Sequence, residues 1–169
     1  PITTMKNNII TILLLAVISI SIESCSKDEE ESESHYTTEQ LATLKVLHGT
    51  FVSEPDVIGA TTEFTFDETY LDKPKIATGT NVYGEKKEYT IHGYCSYKYN
   101  YGIAADYIIK GAFYISNNGV DMKLYHAYDD KTISVNMAPD NYKIVVVNDN
   151  QLRLSDTNYP LNGSLYTRK

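Results

Sequence analysis

The sequence predicts a mostly β domain, in which an antiparallel meander closes into a barrel behind one short N-terminal helix. From residue 49 onward the apolar residues follow a period of two, which is typical of half-buried strands. Turn residues separate these segments at the close spacing of hairpins. Because so many short strands must close on themselves or fold double to hide their edges, a β-sandwich is the alternative architecture.

Residues 1–24 are expected to be a leader that contains a signal peptide, with Met5 as its true start. Lys6 supplies a positive charge, and the apolar run over residues 9–22 contains no charged residue. A run of this length is too short to cross a bilayer comfortably, and it fits the hydrophobic region of a secretory signal.

The end of the leader resembles a bacterial lipobox, with the sequence Ile-Glu-Ser-Cys at residues 22–25. This resemblance implies that Cys25 is acylated and becomes the first residue of the mature protein. Residues 26–33 resemble the acidic export signal of Bacteroidetes surface lipoproteins, which implies a lipid-anchored protein on the exterior of the outer membrane. Residues 25–35 are therefore expected to form an acidic, disordered tether.

Charge and cysteine content limit the function of the remaining domain, residues 36–169. The chain has a net charge of −7, and the tether accounts for five acidic residues and one lysine, which leaves −3 on the domain. Such a domain has no electrostatic footprint for nucleic acid. If Cys25 is lipidated, Cys95 has no disulfide partner, and we expect it to be a small buried hydrophobic residue.

One segment has helical spacing. Thr37 and Gln40 match a capping box, and Leu41 and Leu44 mark one face of a helix over residues 38–47, which Gly49 would end. A short helix of this kind is expected to cover an end or an edge of the sheet.

Ten segments have the strand pattern, and each is bounded by turn residues. They are residues 51–53, 62–67, 75–83, 87–99, 106–115, 120–128, 132–137, 142–147, 151–154 and 164–167. The turns are expected at residues 117–119, 129–131, 139–141 and 148–150. Residues 106–115 are apolar on both faces, so a lid, a partner or the helix should cover their outer face. Gly93 and Gly111 are expected to mark bulges or bends.

The residues Leu-His-Gly-Thr-Phe at positions 47–51, followed by a meander of strands, look like the opening of lipocalin-like domains. Phe51 stands where that family commonly has tryptophan. Residues 105–107 resemble a second lipocalin motif, and Arg153 matches the late basic residue that packs on the aromatic ring. The resemblance covers residues 41–169 and implies an up-and-down barrel, commonly one that binds a small apolar molecule.

Catalytic and metal-binding patterns are missing from the sequence. The four histidines are isolated, and none has metal-ligand spacing. There is no nucleophile elbow, phosphate loop or calcium loop. We therefore expect no catalytic residue, no metal and no cofactor, and we expect the protein not to be an enzyme. His126 shares a face with Met122 and Leu124, so we expect it to be a hydrogen-bonded core residue.

Tyrosine is the unusual feature, with 15 tyrosines against four phenylalanines. In a strand Tyr97, Tyr99 and Tyr101 would share one face with Cys95. Tyrosine combines a flat apolar ring with a hydroxyl, and this combination is favoured at wet binding surfaces. We therefore predict that these three tyrosines bind a ligand, while simple packing at a barrel rim is the alternative.

Two functions fit these observations. In the first, a cell-surface lipoprotein, attached to the outer membrane through acylated Cys25, binds a glycan fragment or an apolar molecule in or at the mouth of its barrel. In the second, it is a non-enzymatic structural or interaction component of a surface complex, with a filled barrel. Neither function involves nucleic acid.

Overall fold

The alternating segments of the sequence form strands in the computed structural model, which describes residues 34–100, 107–128, 131–157 and 163–169. All of these residues belong to the compact unit Ser34–Lys169. Its elements are helix α1 (Thr38–Val46) and strands β1 (Gly49–Ser53), β2 (Thr61–Thr69), β3 (Lys75–Thr80), β4 (Lys86–Ile91), β5 (Gly93–Asn100), β6 (Tyr107–Ile115), β7 (Asp121–His126), β8 (Ile133–Ser134), β9 (Asp140–Asn148), β10 (Gln151–Asp156) and β11 (Ser164–Arg168).

Eight of the strands close into an antiparallel barrel, in the order β1-β11-β10-β9-β7-β6-β5-β2. Phe51 of β1 pairs with Phe64 of β2 on one side and with Arg168 of β11 on the other. This double pairing removes the sheet edges that an open sheet would expose. The predicted closed barrel with one short helix is confirmed, and the sandwich alternative is wrong.

The barrel is not a pure meander, because β3, β4 and β8 leave it to form an outer sheet in the order β4-β3-β8. The predicted strand over residues 87–99 is accordingly divided at His92, where the chain passes from the outer sheet into the barrel wall. Gly93 allows this passage, since a Cβ atom there would lie 1.9 Å from the carbonyl oxygen of Glu68. The predicted strand at residues 132–137 is reduced to Ile133–Ser134.

Large apolar side chains fill the part of the barrel interior that lies next to the helix. The largest fully buried ones are Phe51, Phe64, Phe113, Ile115, Met122, Leu124, Ile144 and Leu152. Cys95 is buried among them, as predicted, and burial raises the pKa of its thiol above the ordinary range.

The outer sheet explains why β6 is apolar on both faces. Phe113 of β6 points into the barrel, whereas its neighbour Ala112 points outward and is 0% exposed. Ala112 packs there against Ala77, Ile91 and Ile133 of the outer sheet. The cover predicted for this strand is therefore the outer sheet.

Helix α1 closes one end of the barrel. Thr37 and Gln40 form the predicted capping box, and Leu44 belongs to the barrel core. The helix end is fixed to the β6–β7 hairpin, because Gln40 Nε2 donates a hydrogen bond to the Ile115 carbonyl and Thr43 Oγ1 donates one to the Gly119 carbonyl. The helix ends at Val46, slightly before the predicted boundary.

A basic residue packs on Phe51, but it is not the one that the sequence indicated. The guanidinium carbon of Arg168 lies 4.7 Å from the centre of the Phe51 ring. Arg153 is exposed and its Nη1 donates a hydrogen bond to the Gly163 carbonyl. The assignment of Arg153 was wrong because Arg153 lies between the inward-facing residues Leu152 and Leu154 and therefore points out of the barrel.

Candidate functional site

Four tyrosines gather inside the barrel towards the end that lies opposite α1. Tyr97 and Tyr99 come from β5, Tyr142 comes from β9 and Tyr166 comes from β11. We call these four residues the tyrosine cluster. Tyr97 and Tyr99 lie in the second half of β5 and Tyr142 near the start of β9, in each case towards the strand end remote from the helix, whereas Tyr166 is the central residue of β11. Strand alternation turns each of the four side chains inward.

Phe64 is the floor of the tyrosine cluster. Its side chain is 1% exposed, and its ring centre lies 4.8 Å from Tyr97, 5.5 Å from Tyr142 and 5.7 Å from Tyr166. The Tyr99 ring follows at 6.3 Å from Tyr97. Edge-to-face and tilted contacts of this kind hold aromatic rings in place beyond the effect of burial alone. Above Phe64 the apolar core therefore ends in a layer of phenol rings, of which Tyr97, Tyr99 and Tyr142 are half-buried and Tyr166 is buried.

The phenol groups of Tyr142 and Tyr166 remain protonated at neutral pH. Burial raises the pKa of Tyr142 above the ordinary range, and the carboxylate of Asp140, the Tyr97 phenol and the carboxylate of Asp156 act in the same direction. Burial and the Tyr97 phenol also raise the pKa of Tyr166, while a hydrogen bond from Thr62 opposes this rise. Protonated phenols can both donate and accept hydrogen bonds.

A histidine and a carboxylate adjoin the cluster. His126 Nε2 lies 3.0 Å from Asp140 Oδ2, and Asp140 is two residues from Tyr142 on β9. His126 is 8% exposed, so it is a core residue with a polar partner, as its position beside Met122 and Leu124 predicted.

The predicted ligand residues are found only in part within the described residues. Tyr97 and Tyr99 do share an inward face with Cys95, and they lie in the tyrosine cluster. Tyr101 and the lipidation site Cys25 lie outside the described residues. Sequence reasoning missed Tyr142 and Tyr166, because each is a single tyrosine in its strand. Only the strand pairing, which no local pattern encodes, brings them next to Tyr97.

Comparison with protein-family models, with curated proteins and with solved structures returned no match. Within the described residues, no helix has the length and apolar character needed to span a membrane. In the same part of the chain, no three His, Cys, Asp or Glu side chains are grouped closely enough to hold a metal ion.

Proposed function

We propose that this protein is a cell-surface lipoprotein that binds a glycan fragment at the tyrosine cluster, in the mouth of its barrel. The observation that carries the proposal is the layer of half-buried tyrosine rings above Phe64. Flat aromatic rings with neutral hydroxyl groups suit a sugar, which offers an apolar ring face surrounded by hydroxyl groups.

Two features favour a glycan at the mouth over an apolar molecule deep in the barrel. The space below Phe64 is filled by buried side chains, which leaves the mouth as the level at which a ligand would bind. The surroundings of the rings are polar, because Asp140 and Asp156 act on the Tyr142 phenol and His126 is bound to Asp140, and such surroundings suit the hydroxyl groups of a sugar better than a purely apolar ligand.

The anchor is part of the same proposal and is supported by the leader, by Cys25 and by the acidic tether. Attachment to the exterior of the outer membrane would place the barrel mouth where extracellular saccharides arrive.

The experiment is a titration of the purified protein with neutral oligosaccharides of two to four sugars. Binding is measured by calorimetry and by tyrosine fluorescence, which can be observed directly because the chain contains no tryptophan. Each stacked ring is expected to contribute about 1 kcal/mol, so the double variant Tyr97→Ala, Tyr99→Ala should bind about tenfold more weakly or worse. Tyr83→Ala is the matched control, because Tyr83 is an exposed ring in the β3–β4 turn.

A second function is favoured by the filled interior: a non-enzymatic interaction component of a surface complex. Buried side chains such as Phe51 and Phe113 fill the barrel below Phe64, as expected of a domain that holds no ligand inside its barrel. If no saccharide binds, or if the double variant unfolds, this second function is preferred.

A further inference from the structure

A groove lies on the outside of the barrel, between the barrel wall and the outer sheet. It has a volume of about 670 Å³. Residues of β4 line one side, outward-facing residues of β6 and β7 form the floor, and the segment before β9, from Val135 to Pro139, lines the other side. This outer groove is separate from the tyrosine cluster, because its floor is the outer surface of the barrel wall.

The floor of the outer groove is aromatic. Tyr114 and Tyr125 point outward from β6 and β7, and Tyr89 reaches them from β4. The ring centres of Tyr89 and Tyr125 are 4.9 Å apart, and Tyr114 packs on the buried imidazole of His92 at 4.7 Å. All three tyrosines are half-buried, so their rings are held in place while part of each remains accessible.

Two lysines flank these rings. The Lys87 ammonium lies 5.3 Å from the centre of the Tyr89 ring, and Lys123 is the cross-strand partner of Tyr114. In the part of the chain that the structure describes, neither lysine is paired with a carboxylate, whereas Lys75, Lys143 and Lys169 are.

The charge directed into the groove is therefore positive. Glu88 also lines the groove, but alternation along β4 turns its side chain to the opposite face from Lys87 and Tyr89. The domain as a whole carries −3, so a long, densely charged polyanion would be repelled, while a short ligand with few charges would not.

We propose that the outer groove binds a short acidic oligosaccharide, a sugar chain that carries carboxylate or sulfate groups. The sugar rings would lie on Tyr89, Tyr114 and Tyr125, and an anionic group would be held between the ammonium groups of Lys87 and Lys123. This is a second site, with a ligand of different charge from the neutral glycan proposed for the tyrosine cluster.

The test is a calorimetric titration of the purified protein with trigalacturonate, with a chondroitin sulfate disaccharide and with neutral maltotriose. The two acidic probes distinguish a carboxylate from a sulfate ligand, and at least one of them should bind more tightly than maltotriose. In Lys87→Gln, Lys123→Gln the acidic probe should bind about tenfold more weakly, because two charge-assisted contacts are lost. Both lysines are exposed, so the variant should keep the unfolding midpoint of the parent protein.

Two matched controls locate the site. Lys143→Gln removes one exposed lysine outside the groove and should leave the binding of acidic probes unchanged. Tyr97→Ala, Tyr99→Ala should also leave it unchanged, so that failure of the mouth site and failure of the groove site are separable.

Four results would overturn the proposal: no binding of either acidic probe, equal binding of maltotriose, an equal loss in Lys143→Gln, or tighter binding of an eight-nucleotide oligothymidylate than of both acidic probes. The last result would assign the groove to single-stranded nucleic acid, whose bases also stack on aromatic rings.

Discussion

His92 is the residue at which the chain passes from the outer sheet into the barrel wall, and it is 2% exposed. Its Nδ1 accepts a hydrogen bond of 3.0 Å from the Ile115 N–H, which requires a neutral ring. Burial lowers the pKa of His92 to about 4. A histidine in the unfolded chain has a pKa of about 6.5, so protons bind more tightly to the unfolded state between these values.

We expect the contribution of His92 to stability to be complete above pH 6.5 and to be lost as the pH falls towards 4. The loss should be on the order of 2 kcal/mol. In His92→Asn, the amide oxygen can accept the same hydrogen bond without titrating, so this part of the pH dependence should disappear. Urea unfolding of both proteins between pH 7 and pH 4 measures the difference, and parallel pH profiles would contradict the assignment.

Arg168 connects three segments at the end of the barrel that α1 covers: the last turn of the helix, the loop before β1 and the β9–β10 turn. Its Nη1 donates to the His48 carbonyl at 2.5 Å, and its Nη2 donates to the carbonyls of Val46 and Asp149 at 2.9 and 2.7 Å. Its guanidinium also lies on the Phe51 ring, where a cation is attracted by the π electrons.

Arg168→Met keeps apolar contact with Phe51 but removes all three hydrogen bonds. The variant should lose about 3 kcal/mol of unfolding free energy, since the carbonyl groups lose a charged donor. Arg153→Met is the control, because Arg153 is exposed and makes one long hydrogen bond, so its change should stay within about 0.5 kcal/mol. Equal losses in the two variants, measured by urea unfolding, would refute the structural role of Arg168.

At the scale of elements, the outer sheet depends on the close approach of β8 and the Tyr89 ring to Gly79 of β3. β8 is attached to β3 by the parallel pairs Gly79 with Ile133 and Thr80 with Ser134. A Cβ atom on Gly79 would lie 2.8 Å from the Ile133 carbonyl oxygen and 2.9 Å from the Tyr89 ring. Glycine is therefore needed for β8 and Tyr89 to reach their positions beside β3.

Gly79→Ala should separate β8 from β3 and disturb one side of the outer groove, at a cost of about 2 kcal/mol. Amide hydrogen exchange should become faster in β3 and β8, while barrel strands such as β10 keep their protection. Thr78→Ala, on the exposed face of the same strand, should leave both regions unchanged. Uniform acceleration across the barrel would mean that the outer sheet and the barrel do not open separately.

The predicted and observed elements differ where the chain moves between sheets. Period two predicted a strand on both sides of His92, because alternation continues while the hydrogen-bond partners change from β3 to β2 and β6. The capping box of Thr37 and Gln40 was visible because all of its contacts lie within four residues. Only half of the tyrosine cluster could be predicted from the sequence. Tyr97 and Tyr99 share a strand, whereas Tyr142 and Tyr166 join them only through long-range strand pairing.

For the whole molecule, the leader and tether yield a prediction about attachment. Cys25→Ala should abolish the incorporation of labelled fatty acid and release the protein from membranes, because the lipobox then has no thiol to be acylated. Cys95→Ala is the control, and it should keep the label, since Cys95 is buried in the barrel. Fatty acid that persists on Cys25→Ala would show that the lipobox assignment is wrong.

The acidic tether is expected to determine on which side of the membrane the domain lies. Replacement of residues 28–31 by alanine should preserve acylation but protect the protein from protease added to intact cells. Unchanged sensitivity to the protease would mean that the acidic run is only a solvated linker.

The closure of the barrel has a consequence for the order of folding. The hydrogen bond from Arg168 to the Val46 carbonyl joins residues 122 positions apart, and β1 cannot acquire its second neighbour until β11 is present. Contacts this distant require the entropy of a long loop to be lost before they stabilise anything, which slows folding. Because β1 pairs with β11, the barrel cannot close until synthesis has reached β11, so closure must follow the synthesis of nearly the whole domain.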